Sequence, residues 1–466
     1  MYPATDLVLT AAQMRSAEAA LIARGTAVEA LMQRAGRGAA EWVWRIGGGR
    51  GVTVVAGPGN NGGDGWVIAE AIRQRGGDVA VVVAAEPGTP AAQAARAGYG
   101  GAVLGMDATR HAEVMVDCLF GTGLTRPMRP DHAALLSRLA NSHARRVAID
   151  LPSGIESDLG QPLNPGLPAY HLTVALGAWK RAHFLMPGTV HMGTLVQVGI
   201  GIDHDAGTGR AIGQPRLAPP KADAHKYTRG LLGVVGGAMP GAAYLAASAA
   251  QHAGAGYVKL FGAATAHSTP DLVHDASPLA DALNDRRLSA LLIGPGLGRD
   301  AAARAGLAAV LGSGCPVVLD ADALVLLGPE MLDARAGPII ATPHDGELFS
   351  LERAFGLEGA GSKVDRAAAL ARASGMIVVA KGPDSIVAAP DGRVAYAARA
   401  SAWLSTAGTG DVLAGIVASR LASGEAPFDA ACQALWLHAA AARRAGAAFT
   451  ASQLAAAVQS AYAACL

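Results

Sequence analysis

The chain has 466 residues, of which 51% are hydrophobic, and it carries 38 Lys plus Arg against 37 Asp plus Glu. This length exceeds one ordinary domain, and the hydrophobic content excludes a disordered protein. A formal net charge of +1 creates no overall field that would attract nucleic acid or an anionic membrane. We therefore expect two large folded domains that act on small molecules, with no nucleic acid and no membrane as partner.

The cysteines and the N-terminal sequence indicate the cellular compartment in which the protein is expected. Four cysteines are widely separated, with no paired spacing typical of a zinc site or a redox pair: Cys118, Cys315, Cys432 and Cys465. The N-terminal sequence shows no secretory signal, so we expect a cytoplasmic protein. The uncharged stretch 231–258 could be mistaken for a membrane span, but its glycines and a proline divide it into strand, loop and helix.

Apolar periodicity predicts the elements of the first half. Residues 11–36 have the spacing of two short helices. Strand-like apolar runs then alternate with Ala-rich segments of helical length, which is typical of a parallel, doubly wound sheet. The predicted strands are 52–56, 79–84, 114–118, 146–150 and 172–176.

A second α/β domain is predicted after a junction that is rich in glycine and proline. Residues 199–220 have little apolar periodicity, and we place the first domain at 1–205, the linker at 206–220 and the second domain at 221–466. The fold class is therefore α/β, with two three-layer domains. The predicted strands of the second half are 231–235, 257–261, 290–293, 317–320, 339–341 and 377–381.

A glycine-rich loop, Gly57-Pro-Gly-Asn-Asn-Gly-Gly-Asp-Gly65, follows the first long strand. A strand that leads through such a loop into a helix leaves backbone N–H groups free to hold an anionic ligand. The loop also matches the glycine pattern of dinucleotide-binding proteins, but Asp64 near the helix start would repel a phosphate. A capped turn without a ligand is the alternative, and we favour a site for a polar substrate or a cation.

Three further polar residues lie at or just after predicted strands of the first half: Asp117, Asp150 and Lys180. Because the carboxyl ends of parallel strands meet at one edge of a sheet, we expect these residues to form one site with Asn61 and Asp64. Each of them alone could be a turn cap or a solvated charge. Clustered Asn, Ser and Asp oxygens suit an alkali or alkaline-earth cation.

The most specific signal of the second half is Ser405-Thr-Ala-Gly-Thr-Gly-Asp411-Val-Leu-Ala-Gly415. Small residues open a predicted helix there, so that backbone N–H groups could stabilise a transferring phosphoryl group while Asp411 accepts a proton from an attacking hydroxyl. A glycine loop capped by Asp411 is the alternative. His344 and Lys381 follow other strands, and we expect His344 to contact a ligand. Lys381 is either a nucleotide contact or only a strand-end charge.

Several motifs of the first half, spread over residues 11–200, occur together: Met14 with Glu18, Leu31-Met-Gln-Arg-Ala-Gly36, the Asn60–Asp64 loop, Asp117-Cys-Leu-Phe-Gly-Thr-Gly123 and Asp150-Leu-Pro-Ser-Gly154. In these motifs the first half resembles the Rossmann-like epimerase domain of the NAD(P)H-hydrate repair enzymes. The resemblance implies inversion at the hydrated ring carbon of damaged NADH or NADPH, and we take Asp150 and Lys180 as the candidate proton donor and acceptor.

The same resemblance implies the ligand contacts of this domain. A potassium ion would be bound by Asn61, Asp117 and Ser153. The substrate-binding residues that it implies are Asn60, Asn61, Gly62, Gly63, Asp64, Gly121, Thr122, Gly123, Leu124, Thr125, Arg126 and Pro127.

The second half carries His225-Lys226, Gly236-Gly237, Gly241-Ala-Ala-Tyr and the Gly408–Asp411 motif, and in these it resembles the ADP-dependent NAD(P)H-hydrate dehydratase domain, which has a ribokinase-like fold. The resemblance implies phosphorylation of the ring hydroxyl by ADP, which gives AMP, followed by elimination of phosphate. Mg²⁺ would accompany the diphosphate. Residues 401–407 depart from the family's usual Gly- and Pro-rich form, so we expect altered loop packing with the chemistry retained.

The resemblance also implies the ligand contacts of the second half. Asp411 would be the catalytic base. The hydrate would contact Ala242, Gly296 and His344, and the nucleotide would contact Lys381, Gly382, Pro383, Asp384, Ser385, Gly408, Thr409 and Gly410.

The two resemblances together predict an enzyme that repairs both epimers of the hydrate, and we expect this enzyme to be a homo-oligomer. One alternative is a small-molecule kinase of the vitamin-precursor type, with a first half that only binds ligand. A second alternative treats the first half as a regulatory or protein-interaction module. Recovery of the dihydronicotinamide absorbance with ADP would separate the repair enzyme from the kinase.

Overall fold

The computed structural model describes residues 3–47, 50–262, 269–332 and 337–466. It divides the chain into two compact units, Met1–Ala211 and Ile212–Leu466. The division falls inside the predicted linker 206–220. Each unit is built on a largely parallel sheet with helices, so the predicted α/β class is confirmed.

The first unit begins with a short strand and two helices, after which strands and helices alternate. Its strands are β1 (Leu7–Leu9), β2 (Val52–Ala56), β3 (Val79–Val83), β4 (Ala102–Leu104), β5 (Val114–Cys118), β6 (Arg145–Ile149), β7 (Leu172–Leu176), β8 (Trp179–Lys180), β9 (Thr194–Val198) and β10 (Gly209–Ala211). Its helices are α1 (Ala11–Ala23), α2 (Val28–Gly47), α3 (Asn60–Gln74), α4 (Pro90–Ala97) and α5 (Pro130–Ser142), with 3₁₀ turns at Arg181–His183 and Gly188–His191.

The main sheet of this unit is parallel and has the order β4-β3-β2-β5-β6-β7-β9. The five strands predicted from the sequence are confirmed to within one residue. The strand order reverses between β2 and β5, because the chain runs outward from β2 to β4 and then returns to the other side of β2. Ligand sites of open parallel sheets form at such a reversal, outside the carboxyl ends of the strands.

Alternating side chains of the strands divide between two cores, which gives the unit three layers. Val52 and Val54 lie in the core with residues of α1, α2 and α3, whereas Val55 lies in the core with α5. The prediction of two short helices was wrong for the second, because α2 continues for 20 residues. Gly36 does not end it: a Cβ there would lie 2.6 Å from Cβ of Val67, so the glycine lets α2 approach α3 closely.

The second unit alternates strands and helices before it ends with three helices. Its strands are β11 (Leu231–Val235), β12 (Tyr257–Phe261), β13 (Val273–Asp275), β14 (Leu288–Ile293), β15 (Val317–Leu319), β16 (Ile339–Ala341), β17 (Ile377–Ala380), β18 (Ile386–Ala388) and β19 (Val394–Tyr396). Its helices are α6 (Pro240–His252), α7 (Leu279–Ala282), α8 (Ala301–Gly312), α9 (Asp322–Leu326), α10 (Asp345–Ala354), α11 (Lys363–Ser374), α12 (Thr409–Ala422), α13 (Pro427–Ala445) and α14 (Ala451–Ala463), with 3₁₀ turns at Pro329–Met331 and Ala402–Leu404.

The strands of this unit have the order β13-β12-β11-β14-β15-β16-β17-β18-β19, in which β18 and β19 are antiparallel to their neighbours. The order reverses between β11 and β14, in the same way as in the first unit. A large core joins the sheet to α6, α12, α13 and α14. The uncharged stretch 231–258 forms β11, α6 and the start of β12, and across the part of the chain that the structure describes we find no helix able to span a membrane.

Candidate active sites

The glycine loop of the first unit brings the ends of β2 and β5 into contact. A Cβ on Gly57 would lie 1.9 Å from the carbonyl oxygen of Leu119, and a Cβ on Gly62 would lie 1.9 Å from the carbonyl oxygen of Gly57. No side chain fits at either position, so the loop after β5 can lie directly against the first turn of α3. That turn contains Asn60 through Asp64, and the Asn60 amide oxygen accepts a hydrogen bond from the Thr89 hydroxyl at 2.7 Å.

Asn61 meets the loops that follow β5 and β6. An ideal Cβ on Gly121 would lie 3.4 Å from Oδ1 of Asn61 and 3.0 Å from Oδ2 of Asp150. Both polar atoms of the Asn61 side chain are buried and have no hydrogen-bond partner within the described chain. A buried amide without a partner costs about 1–3 kcal/mol, so these atoms are positioned for a ligand.

The predicted substrate loop 121–127 has an inner and an outer part. Thr122 lies inward and donates its backbone N–H to Oδ2 of Asp150 at 3.0 Å, and its hydroxyl also bonds that oxygen. Leu124 is half-buried. The exposed outer residues are Gly123, Thr125, Arg126 and Pro127.

Asp117, at the end of β5, is fully buried among four donors. Its Oδ1 accepts from the Ser153 hydroxyl at 2.7 Å and from the Leu119 N–H at 3.0 Å, and its Oδ2 accepts from the Ser153 N–H at 3.0 Å and from the Tyr170 hydroxyl at 2.5 Å. Burial raises the pKa of Asp117, although these hydrogen bonds oppose the rise. Sequence reasoning missed Tyr170, because a lone tyrosine 53 residues away in the chain carries no pattern.

Asp150 and Lys180 form a buried ion pair. Lys180 is 1% exposed, and its ammonium group bonds Oδ1 of Asp150 together with the carbonyl oxygens of Leu176 at 2.6 Å and Ala178 at 3.1 Å. Burial alone would raise the pKa of Asp150, but the Lys180 charge and the hydrogen bonds from Lys180 and Thr122 outweigh it, so the pKa lies below its usual value. Asp150 is therefore ionised at neutral pH, and each N–H of Lys180 already has a protein acceptor.

Two other carboxyl groups are electrostatically coupled to this ion pair. Burial raises the pKa of Asp64 well above its usual value, and the charges of Asp150 and Glu18 add to the rise. Burial likewise raises the pKa of Glu18. Carboxyl groups whose environments separate their pKa values can serve as acid and base in one reaction, so the site combines an ionised carboxylate with groups that retain a proton to higher pH.

In the second unit, two loops at the strand reversal pack against each other. A Cβ on Gly296, which has a φ of +62°, would lie 2.2 Å from the carbonyl oxygen of Met239 and 3.1 Å from Cβ of Ala242. A Cβ on Gly237 would lie 2.4 Å from Cα of Leu297. The structure therefore brings the predicted Ala242 and Gly296 together at the start of α6.

Lys381, directly after β17, lies in an acidic cluster beside the first turn of α12. Its Nζ is 2.6 Å from Oδ1 of Asp320 and 3.8 Å from Oε2 of Glu347. Burial would lower the pKa of Lys381, but these two carboxylates outweigh it and raise the pKa. An ideal Cβ on Gly410 would lie 3.7 Å from the same nitrogen, so Lys381 lies beside the Gly408–Gly410 turn.

Asp411 sits in the first turn of α12 near this cluster. Burial raises its pKa from 3.8 to about 6, the Asp320 charge adds to the rise, and the Lys381 charge opposes it. Gly408, whose φ is +90°, is the N-cap of the helix, and the Thr409 hydroxyl joins the helix to the preceding 3₁₀ turn by donating to the Leu404 carbonyl at 2.8 Å. This bond anchors the loop 401–407.

The remaining predicted residues border the same cluster. Within the 381–385 loop, Ser385 bonds the backbone of Gly382, and Asp384 accepts from the Lys363 ammonium at 2.7 Å, while Pro383 is exposed. His344 is the N-cap of α10, and its Nδ1 accepts from the Gly346 N–H at 3.0 Å and the Glu347 N–H at 3.2 Å. Its side chain is 62% exposed and therefore is not a packed core histidine.

Two α/β units, each with buried titratable groups at the carboxyl edge of a parallel sheet, define the chain as an enzyme with two sites. A family model described as NAD(P)H-hydrate dehydratase matches residues 232–463, and one described as YjeF-related protein N-terminus matches residues 28–182. The bifunctional NAD(P)H-hydrate repair enzyme Nnr of Salinibacter ruber is 34% identical over 94% of this chain and 92% of its own length. The Nnr of Mycobacterium leprae is 34% identical over 92% of each chain.

The chain therefore belongs to the family of bifunctional NAD(P)H-hydrate repair enzymes, and the resemblance read from its motifs is confirmed. Among solved structures, the ADP/ATP-dependent NAD(P)H-hydrate dehydratase of Bacillus subtilis, co-crystallised with ATP and Mg²⁺, is 27% identical and covers 54% of this chain and 95% of its own, with a TM-score of 0.48.

Proposed function

We propose that the chain restores hydrated NADH and NADPH in two reactions: the domain 1–205 interconverts the R and S hydrates, and the domain 221–466 dehydrates the S hydrate with ADP. The observation that carries this proposal is the similarity to bifunctional repair enzymes, which extends over 94% of the chain and thus over both units. One polypeptide would then recover both epimers.

In the first site, residues 60–64 and 121–127 bind the hydrate beside the ionised Asp150. Inversion at the hydrated carbon requires a group that accepts a proton and a group that returns one. Asp150 is the acceptor, since its pKa lies below the usual value. Lys180 has no free N–H for the substrate, so it acts by keeping Asp150 charged. Asp64, with its raised pKa, is the candidate partner acid.

A potassium ion bound by Asn61, Asp117 and Ser153 would support this site. The residues fit an alkali cation, because the buried Asn61 amide oxygen has no protein partner and the Asp117 carboxylate is held in place by Ser153, Leu119 and Tyr170. Oxygen atoms of this kind are ligands for hard cations. When bound, the ion would supply positive charge next to the anionic substrate.

In the second site, Asp411 takes the proton of the ring hydroxyl as that oxygen attacks the terminal phosphorus of ADP, and AMP leaves. The phosphate ester then breaks its C–O bond and the neighbouring ring carbon loses a proton, which restores the dihydronicotinamide and releases phosphate. The backbone N–H groups of 408–410 and the Lys381 ammonium offset the charge on the transferring group. Ala242, Gly296 and His344 contact the hydrate, and 382–385 contact the nucleotide. Mg²⁺, when bound through the diphosphate, would neutralise part of its charge.

The test mixes both epimers of hydrated NADH with the enzyme and ADP, and it follows the dihydronicotinamide absorbance. The wild type restores both epimers, Asp150→Asn restores only the S epimer at an enzymatic rate, and Asp411→Asn restores neither while it still interconverts them. Each variant is thus the control for the other, and asparagine tolerates the positive φ of residue 150. No recovery with ADP or ATP by folded wild type would reject the proposal. Consumption of ATP with a stable phosphorylated product would favour the kinase instead.

We also propose that the protein works in the cytoplasm as a homo-oligomer and has only small molecules as partners. Support comes from the near-zero net charge and from the four cysteines, all of which are free thiols. Light scattering after size exclusion tests the oligomeric state, and a monomer at micromolar concentration would reject it.

A further inference from the structure

His183 connects the backbones of the two ion-pair residues of the first site. It lies in the Arg181–His183 turn, is 1% exposed, and uses both ring nitrogens. Its Nδ1 is 2.9 Å from the backbone nitrogen of Lys180, and its Nε2 is 2.8 Å from the backbone oxygen of Asp150. Because a carbonyl oxygen can only accept, Nε2 carries the hydrogen, and Nδ1 is free to accept from Lys180.

The charge state of the ring agrees with this tautomer. Burial and the neighbouring Lys180 charge lower the pKa of His183 to about 4, so the ring is neutral at physiological pH and carries one hydrogen. Nδ1 is also 3.2 Å from the Lys180 carbonyl oxygen, but that contact would need a hydrogen on Nδ1 and is longer than the contact to the Lys180 N–H.

The residue that His183 bonds has an unusual backbone. Asp150 has a φ of +66°, and in the described ranges only Ala321 and Ala448 share this property among residues other than glycine. A left-handed conformation of this kind is strained and persists where surrounding contacts hold it. The Asp150 N–H donates to Val174 at 2.8 Å, and the His183 bond fixes the carbonyl on the other side of the residue.

We propose that His183 is a positioning residue of the first site: its neutral Nε2–H tautomer holds the left-handed backbone of Asp150 and thereby keeps the carboxylate against the Lys180 ammonium. The ring does not touch the substrate in this role. The inference rests on the proposed function of Asp150 in epimerisation, and it deepens that function by naming what aligns the carboxylate.

Two substitutions separate the two hydrogen bonds of the ring. His183→Gln places an amide N–H near the position of Nε2, and His183→Asn places an amide oxygen near Nδ1 but offers no donor to Asp150. We expect His183→Gln to keep most of the epimerase kcat. We expect His183→Asn to lose about 100-fold in kcat with little change in KM, since a small misplacement of a reacting group has an effect of that size.

The pH profile of epimerase kcat/KM separates this role from a general loss of packing, which would not shift the profile. Four titratable groups interact with the Asp150 carboxylate or backbone: Lys180, Glu18 from α1, Asp64 from α3 and His183 itself. If the bond to Lys180 loosens, burial dominates and the acid limb of epimerase kcat/KM moves to higher pH in His183→Asn, but not in His183→Gln.

Controls come from the same chain. ADP-dependent recovery of the S hydrate reports on the second unit and should be unchanged in both variants. His143→Gln removes another buried histidine with a lowered pKa, one that bonds Thr53 and Leu139, and it should leave the epimerase pH profile unchanged. A folded His183→Asn with wild-type kcat and acid limb would overturn the inference, as would a His183→Gln that loses as much kcat as His183→Asn.

A measurement on the wild type keeps the inference testable if His183→Asn does not fold or if no epimerase activity is found. In protein with ¹⁵N-labelled histidine, the resonances missing from His183→Gln identify the ring. At pH 7 they should show a neutral ring protonated at Nε2. A ring protonated at Nδ1, or one that is charged at pH 7, would overturn the inference independently of the reaction that the site catalyses.

Discussion

The substitution Asp411→Asn tests the second site most directly, because it removes a charge while nearly preserving shape. If Asp411 is the base, the amide cannot take the hydroxyl proton, and dehydratase kcat should fall about 10²- to 10⁴-fold. The same substitution should stabilise the protein at neutral pH, since the charged form of this carboxyl is disfavoured by burial and by Asp320.

The size and the pH dependence of this stabilisation follow from the raised pKa. A change from 3.8 to about 6 sets a ceiling of about 3 kcal/mol, and partial exposure of the carboxyl reduces it to about 1 kcal/mol. The folded state holds the proton more tightly than the unfolded chain, so this contribution to stability is complete below about pH 4 and is lost as the pH rises through 6. The variant should therefore match the wild type near pH 4 and exceed it at pH 7.

Urea unfolding at pH 4.5 and pH 7, together with the dehydratase assay, measures both effects. Asp429→Asn is the matched control, because Asp429 is an exposed carboxylate in the first turn of the adjacent helix α13. A folded Asp411→Asn that keeps kcat within a few-fold of wild type would refute the role as base. A variant less stable than wild type at pH 7 would refute the argument from the buried charge.

Three more substitutions address other parts of the structure. Lys381→Met removes the charge that opposes the raised pKa of Asp411, so the acid limb of dehydratase kcat/KM should move above pH 6 in a pH-rate profile. Gly294→Ala would place a Cβ 1.7 Å from a neighbouring carbonyl oxygen at a φ of +127°, and it should lower the melting temperature steeply or prevent folding; Gly306→Ala, inside α8, should be neutral or stabilise by about 0.5–1 kcal/mol. Asn61→Ala should reduce epimerase activity and abolish any difference between potassium and sodium buffers, and a variant that still prefers potassium would refute the proposed ligand.

Much of the fold could be predicted from the sequence because its central strands are continuous apolar runs that end at glycine or at a polar residue. β2 and β11 illustrate this, since both were predicted to the residue. β13, β18 and β19 were missed: each has only three residues, and a run of that length gives a weak signal, even though the equally short β16 was predicted. Gly36 misled the prediction for α2, because a glycine that permits close helix packing cannot be distinguished locally from one that ends a helix.

The candidate site residues were predicted from strand ends, but their hydrogen-bond partners were not. Asp150 and Lys180 stand out because each is a polar group next to an apolar strand. Tyr170 bonds a residue 53 positions away and His183 bonds one 33 positions away, and contacts at such distances leave no spacing pattern in one sequence. The direction of the Asp150 pKa likewise depends on how closely Lys180 approaches, which only the folded structure determines.

The two sites shift the pKa values of their aspartates in opposite directions, and we therefore expect the two activities to decline at different pH values. Asp150 pairs with Lys180, which has no other carboxylate in hydrogen-bond range among the described residues, and the pKa of Asp150 is therefore lowered. Asp411 lies near Lys381, but Lys381 is already bonded to Asp320, and the pKa of Asp411 is raised to about 6. As the pH falls from 7 to 5, dehydration should therefore decline while epimerisation continues, and the hydrate would accumulate as an interconverting mixture. Both rates can be measured on one sample. If epimerisation declined at a higher pH than dehydration as the sample is acidified, the electrostatic argument would be contradicted.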